Sequence, residues 1–458
     1  MEQQLQLLSA GMDTIWIVLA AAMIILMEGG FALLEAGLVR QKNSVNIIMK
    51  IFVDILFGVL CFFAVGFAFM HGKDMLGSIG TSGFFLKGDL SHLDHPFGNE
   101  TFFVLHAAFV VAVVSIVSGA VAERMEFKAY IVYAIVMTSL IYPISGHWIW
   151  GGGWLADMGM RDFAGSAAIH ALGGFSALAA ASVLGARVDK YKERKGEALV
   201  PWNVPLASVG AFLLWFGWFG FNAGSTLSAT DPRIGHIALT TMLASASGGT
   251  AVMLYLLFRY NKAEATMVIN GTLAGLVGIT AGSAFVTNFA AILIGAVCGL
   301  AMMYATTLLD KWGIDDPVGA FPVHGVSGAL GTIAVGLFST EKGLLYGDGW
   351  ELLGVQLIGL IAICAWGYAA TRLTFWLISK VTSLRVPVKL EKVGLDLAWH
   401  GTIAMPDEDT IAIEKKEEEI IKDKEIEIKK EKEEIKQRED GKTEKTIVTE
   451  EETIKKEK

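Results

Sequence analysis

The sequence predicts an all-α polytopic membrane protein of eleven transmembrane helices, an inverted five-helix repeat followed by a last helix. Three observations lead there. The 458-residue chain is 53% hydrophobic with a mean hydropathy of +0.51. Apolar runs of about 20 residues, the length that crosses a hydrocarbon core as a helix, recur from Thr14 to Lys380. Second, the chain carries 51 glycines, and small residues let membrane helices approach closely. Third, two stretches are twins: Asp162–Gly174 reads DFAGSAAIHALGG and Asp316–Gly328 reads DPVGAFPVHGVSG, with Asp, Gly, an aliphatic residue, His and Gly at the same five offsets.

Hydropathy places the spans at 14–37, 45–70, 100–121, 129–149, 163–186, 204–226, 237–258, 267–283, 288–308, 318–337 and 352–380. The opening MEQQLQLLSAGMD has no Lys or Arg, whereas a secretory leader begins with a basic region. The first run is therefore read as a membrane helix. One set of connectors holds Arg40, Lys42, Arg124, Lys128, Arg187, Lys190, Lys192, Arg194, Lys195, Arg259, Lys262 and Lys311; the other holds only Lys73, Lys87, Arg161, Arg233 and Lys342. Basic connectors stay in the cytoplasm, so the N-terminus is expected outside and the C-terminus inside.

In that topology Asp162 enters the fifth span from the outside and Asp316 enters the tenth from the cytoplasm, as an inverted repeat requires. Each histidine lies eight residues from its aspartate, about 12 Å along a helix, which brings His170 and His324 to mid-membrane. A lone histidine there is readily a core residue bonded to a carbonyl; a symmetry-related pair points to a path through the bilayer. The aspartates stand at helix entrances, where a carboxylate caps free N–H groups. A second signal is aromatic. LWFGWFGFNAGS (214–225) sets Trp218, Phe221 and Ser225 at three- and four-residue spacing on one face, and Trp150 stands in the outer connector nearby. Most such aromatics anchor helices at the interface. A π face beside a hydroxyl also holds a small cation, by about 0.5–2 kcal/mol, and Phe109 adds to the same vestibule.

Other classes find nothing to rest on. Cys61, Cys298 and Cys364 are far apart and show neither metal-ligand nor disulfide spacing. There is no nucleophile–base pair and no cofactor loop, so neither an enzyme nor a cofactor or metal site is expected. The net charge of −9 lies in connectors and tail and gives no reason to expect nucleic acid.

Several stretches together resemble the ammonium transporter (Amt/Mep/Rh) family: GLVRQKNSVN (37–46), AER (122–124), WGGG (150–153), DFAGSAAIH (162–170), GWFGFNAGS (217–225), DDPVGAFPVHG (315–325) and GLDLAWHG (394–401). The resemblance covers roughly residues 12–402. It implies a homotrimer in the cytoplasmic membrane with a pore through each subunit. His170 and His324 would be the twin pore histidines and proton relay. Trp150, Trp218 and Ser225 would form the external ammonium recruitment site, Phe109 and Phe221 the gate, and Asp162 a structural or recruitment acid at the mouth. One departure is local: where the family often has a second aromatic one turn before the gate phenylalanine, this chain has Leu105, followed by His106.

The expected function is ammonium uptake, with the ion recruited outside, deprotonated, and conducted as ammonia plus a proton. The alternatives are an ammonium sensor on the same fold and a generic gas channel. Three segments follow: a membrane domain (1–383), a cytoplasmic coupling region (384–405) and a tail (406–458). The tail has 34 charged residues among its 53 and reads as a solvated helix or disordered segment. Ile421, Ile428 and Ile435 repeat every seven residues, but a coiled coil needs two apolar positions per heptad. The resemblance adds a PII-type regulator as a partner at the cytoplasmic face.

Overall fold

A computed structural model describes residues 1–191 and 199–404. The tail, Met405, and the basic residues Lys192, Arg194 and Lys195 lie outside the described residues. Ten helices are long and apolar enough to span a membrane: α1 (Gln3–Leu38), α2 (Gln41–His71), α3 (Asn99–Ala120), α4 (Phe127–Asp157), α5 (Ser166–Leu184), α6 (Val204–Thr226), α7 (Ile234–Tyr260), α9 (Asn288–Trp312), α10 (Phe321–Phe338) and α11 (Glu351–Ser379). Between α7 and α9 lies a shorter apolar helix, α8 (Ala265–Ile279). Its 15 residues reach only about 22 Å, and a non-helical turn, Thr280–Ser283, replaces the last turn expected from hydropathy. The only β-strands among the described residues are the two-residue Asp74–Met75 and Ile79–Gly80, in the connector after α2.

The halves meet as inverted copies do. α1 packs along α6, first helix against first helix, and α5 packs against α10, fifth against fifth. Glycines set both crossings. A Cβ on Gly210 would stand 2.3 Å from the Leu34 nitrogen, and one on Gly37 2.5 Å from the Asn203 carbonyl. At the other crossing a Cβ on Gly174 would meet the Gly325 nitrogen at 2.1 Å, and one on Gly328 the Ala171 nitrogen at 2.8 Å. Gly174 and Gly328 are both twelve residues past the motif aspartate, and Ala171 and Gly325 both nine past it. The contact is therefore reciprocal, as a pseudo-two-fold axis demands. α3 is enclosed along its length, with eighteen of its residues buried. Large apolar side chains such as Phe52, Leu60, Phe212, Phe258 and Phe289 face outward.

The basic connectors that carry Arg40, Arg124 and Arg187 converge on one face, as their assignment to one side of the membrane requires. Arg187 donates to both oxygens of Asp315, at 2.7 and 2.9 Å, and to Glu123 at 2.5 Å; Arg40 also pairs with Glu123. Arg124 donates to the Asp315 carbonyl at 2.7 Å and the Gly185 carbonyl at 2.9 Å. After α11, Arg385 pairs with Glu391 at 2.7 Å and donates to the Leu184 and Ala186 carbonyls, while the Leu395 N–H donates to Asn43.

Candidate functional site

Both twin helices open in the same way. The Asp162 carboxylate accepts from the N–H groups of Gly165, Ala167 and Ala168 at 2.8–2.9 Å. The Asp316 carboxylate accepts from Gly319, Ala320 and Phe321 at 2.8–3.1 Å. Gly165 and Gly319, each three residues after its aspartate, have φ of +112° and +80°, a backbone that glycine alone adopts without strain. The opening turn of each helix is then a wide π-helical one, Ser166–Ala171 and Phe321–Val326, and it carries the histidine. Such widened turns often mark functional positions.

The two wide turns bring His170 and His324 together. Their Nδ1 atoms are 3.1 Å apart and the rings stack at 5.3 Å and 28°; both are buried. His170 is also stacked on Trp218 at 5.2 Å and on Phe221 at 5.5 Å, and its Nε2 has no protein partner. Phe221 lies 4.8 Å from Phe109, and Phe109 6.1 Å from Trp150. Beyond Phe109 an outer cavity of about 340 Å³ opens, with His71, His106, Phe109, Trp150, Phe163 and Ser225 in its walls. Ser225 Oγ donates to the Phe221 carbonyl at 2.8 Å, and Trp150 Nε1 to the Asp162 carbonyl at 2.9 Å. On the other side of the histidines is a cavity of about 20 Å³ walled by Phe31, Glu35, Asn270, Val318 and His324, room for one water. It shares Asn270, Val318 and Gly319 with a wider cytoplasmic mouth that includes Asp310 and Asp316.

Trp218 is the exception among the expected recruitment residues. Helical spacing groups it with Phe221 and Ser225, but the structure puts Phe221 between them. Trp218 lies with His170, 1% exposed, and its Nε1 donates to Thr280 at 2.9 Å; it is not in the outer cavity wall. The reason is geometric: a face shared along a helix spans two turns, and Phe221, packed 4.8 Å from Phe109, stands between them. Asp162 does not reach His170 either, since its oxygens are taken up by the three N–H groups.

A motif histidine in one membrane helix thus meets its twin from a helix of opposite direction, and the chain matches the model of the Ammonium Transporter Family over residues 15–405. The chain belongs to the ammonium transporter family. Ammonium transporter Amt2 of Archaeoglobus fulgidus is 44% identical over 86% of this chain and 88% of its own length. A putative ammonium transporter of Synechocystis is 41% identical, over 85% and 88%. Among solved structures a Sensor Amt Protein superposes with a TM-score of 0.82 at 38% identity, over 87% of this chain and all of that one. Saccharomyces cerevisiae Mep2 follows this chain with a TM-score of 0.76 at 27% identity, over 82% and 88%.

The chain also buries ionisable side chains that no motif marks. Ser115 donates to Glu28 at 2.6 Å and to Asp54 at 3.1 Å, Tyr130 donates to Asp54 at 2.8 Å, and Ser118 donates to Glu35 at 2.7 Å. Lys50 donates to the Val121 carbonyl at 3.4 Å. The available signal was simple: ionisable residues inside apolar spans are costly and seldom idle. His71, from the cytoplasm-distal end of α2, was missed because no motif links it to His106.

Proposed function

We propose that this chain carries ammonium across the cell membrane as ammonia plus a proton, through one pore in each subunit of a homotrimer. The observation that carries the reading is the 3.1 Å contact between His170 and His324. In the outer cavity, Trp150 and Phe109 present π faces to the cation and Ser225 a hydroxyl oxygen, replacing part of its hydration shell. Phe109 and Phe221 act as the gate. Beyond them the wall is apolar, and a dehydrated ion there costs several kcal/mol or more. Ammonium avoids that cost by giving up a proton; potassium cannot.

The histidine pair gives the proton a path. A neutral imidazole has one donor and one acceptor nitrogen. In an Nδ1 to Nδ1 contact one ring donates, so its Nε2 is a free acceptor, and the other ring accepts, so its Nε2 carries the remaining proton. A proton taken up at His170 Nε2, beside Phe221 and Trp218, moves the shared proton to His324, which releases its own from Nε2 on the cytoplasmic side. Asp162 caps the helix that carries His170 and, through its carbonyl, holds Trp150 at the mouth. A PII-type protein is the expected regulator at the cytoplasmic face.

A sensor is the second reading, favoured by the likeness to a structure titled Sensor Amt Protein. Methylammonium uptake by cells lacking their own transporters separates the two: this reading expects uptake, and a pure sensor gives none.

A further inference from the structure

Five of the nine histidines gather around the outer mouth: His71, His92, His95, His106 and His147. Three have at least one ring nitrogen held by a protein partner, although His95 Nε2 has none. His92 Nε2 contacts the His71 carbonyl at 2.8 Å, His95 Nδ1 the Phe97 carbonyl at 2.6 Å, and His147 bridges the Met70 carbonyl and Asp74. The other two differ. Neither ring nitrogen of His71 has a protein partner, nor does Nδ1 of His106. Both residues are buried, 1% and 5% exposed, and both stand in the wall of the outer cavity. Their ring centroids are 4.1 Å apart at 62°, and His106 is 5.7 Å from Phe109 and 6.2 Å from Trp150.

Unpaired polar nitrogens enclosed by protein are costly. Apolar side chains would fill this wall more cheaply, as Phe67, Phe102 and Leu105 do around them. We propose that His71 and His106 form a second imidazole pair that binds ammonium in the vestibule as hydrogen-bond acceptors, upstream of the pore pair. This rests on the ammonium reading of the cavity above. Two imidazoles at this distance stay neutral beside a bound cation, because a charge on either repels it. Each then offers one acceptor nitrogen. Ammonium has four N–H donors and the aromatic faces accept none of them strongly. The cavity wall has the π faces of Phe102, Phe109, Trp150 and Phe163, but besides the two histidines only Ser225 offers it a side-chain acceptor. The two nitrogens and Ser225 Oγ supply the missing contacts. A potassium ion of similar size has no N–H to donate and prefers hard oxygen ligands, so the pair also discriminates.

The test uses full-length protein in two formats. In proteoliposomes, ammonium-evoked current is recorded against ammonium concentration for wild type, His71→Phe, His106→Leu, the double variant and His106→Gln. His71→Phe and His106→Leu are each expected to need about tenfold more ammonium for half-saturation and the double variant about a hundredfold more, with maximal current retained, as the loss of one and of two hydrogen bonds to a cation implies. His106→Gln, which keeps a neutral acceptor, should lie close to wild type. In detergent, the rise in melting temperature from ammonium chloride over potassium chloride should shrink in the double variant, because a ligand of the native state stabilises it. Each single variant gives the same readout should the double fail to fold. Currents and melting shifts in the variants equal to wild type overturn the proposal and leave transport standing. A wild-type shift that the variants lose, without current in any protein, keeps the site and rejects transport. No ammonium-specific shift in wild type overturns the site.

Discussion

The Nδ1 atoms of His170 and His324 stand 3.1 Å apart, hydrogen-bonding distance between two rings that come from helices of opposite direction. Their positions follow from two aspartates that cap the helices eight residues earlier.

Those caps should be measurable. Asp162→Ala leaves three N–H groups in the opening turn without their acceptor, and Asp316→Ala does the same on the other side. Each should lower stability by about 1–2 kcal/mol and shift His170 or His324 out of contact. The matching check is the melting temperature in detergent, with Asn in place of Ala expected to lie between. Unchanged melting in both Ala variants would remove the caps from the account.

The reciprocal helix crossing allows no side chain. Gly174→Val puts atoms against the Gly325 nitrogen, 2.1 Å from the Cβ alone; the helices must separate, at a cost of at least about 1–3 kcal/mol. Reduced yield of folded protein and loss of current are expected. Normal yield with normal current would contradict the close crossing.

The two tryptophans should behave differently. Trp150→Leu changes the outer cavity and should raise the ammonium concentration for half-maximal current by several-fold, the worth of a cation–π contact. Trp218→Leu removes the ring stacked on His170 and should lower the maximal current with little change in half-saturation. Current against concentration for the two variants decides it, and identical effects would return Trp218 to the vestibule.

The cytoplasmic cluster predicts a pH profile. Glu123 and Asp315 lie in connectors. Burial raises both carboxyls, but Arg187 and Arg40 outweigh it at Glu123, and Arg187 and Arg124 at Asp315, so both are held below the usual carboxylate range. A folded pKa below the unfolded value of about 4 gives stability that is complete above that pH. It is lost as pH falls through the folded values. The melting temperature should therefore be level from neutral pH down to about 5 and fall below about 4. Arg187→Met leaves two buried carboxylates short of a partner, costs about 3–5 kcal/mol near neutral pH, and should flatten the decline below about pH 4, because the contribution lost there is already gone. A variant profile that overlies wild type would contradict the assignment.

The spans and the histidine pair were legible because both rest on periodicity: hydropathy gives the helices, and five matching offsets give the symmetry. Trp218 was misplaced because spacing reports which face of a helix a residue occupies, not which side of a neighbouring phenylalanine it falls on. The length of α8 was overestimated because Thr280–Ser283 is apolar enough to read as helix. His71 and His106, 35 residues apart in the chain, meet from different helices, with no local pattern to announce them. The ion cluster joining Glu123, Arg187 and Asp315 is likewise a product of connectors that only the folded helices bring together.

The most direct test is solid-supported-membrane electrophysiology on reconstituted protein, comparing wild type with His170→Ala and His324→Ala. The account predicts an ammonium-evoked current in wild type that falls to background in both variants, while both proteins stay folded. Currents of wild-type size in both variants would take the histidine pair out of the mechanism.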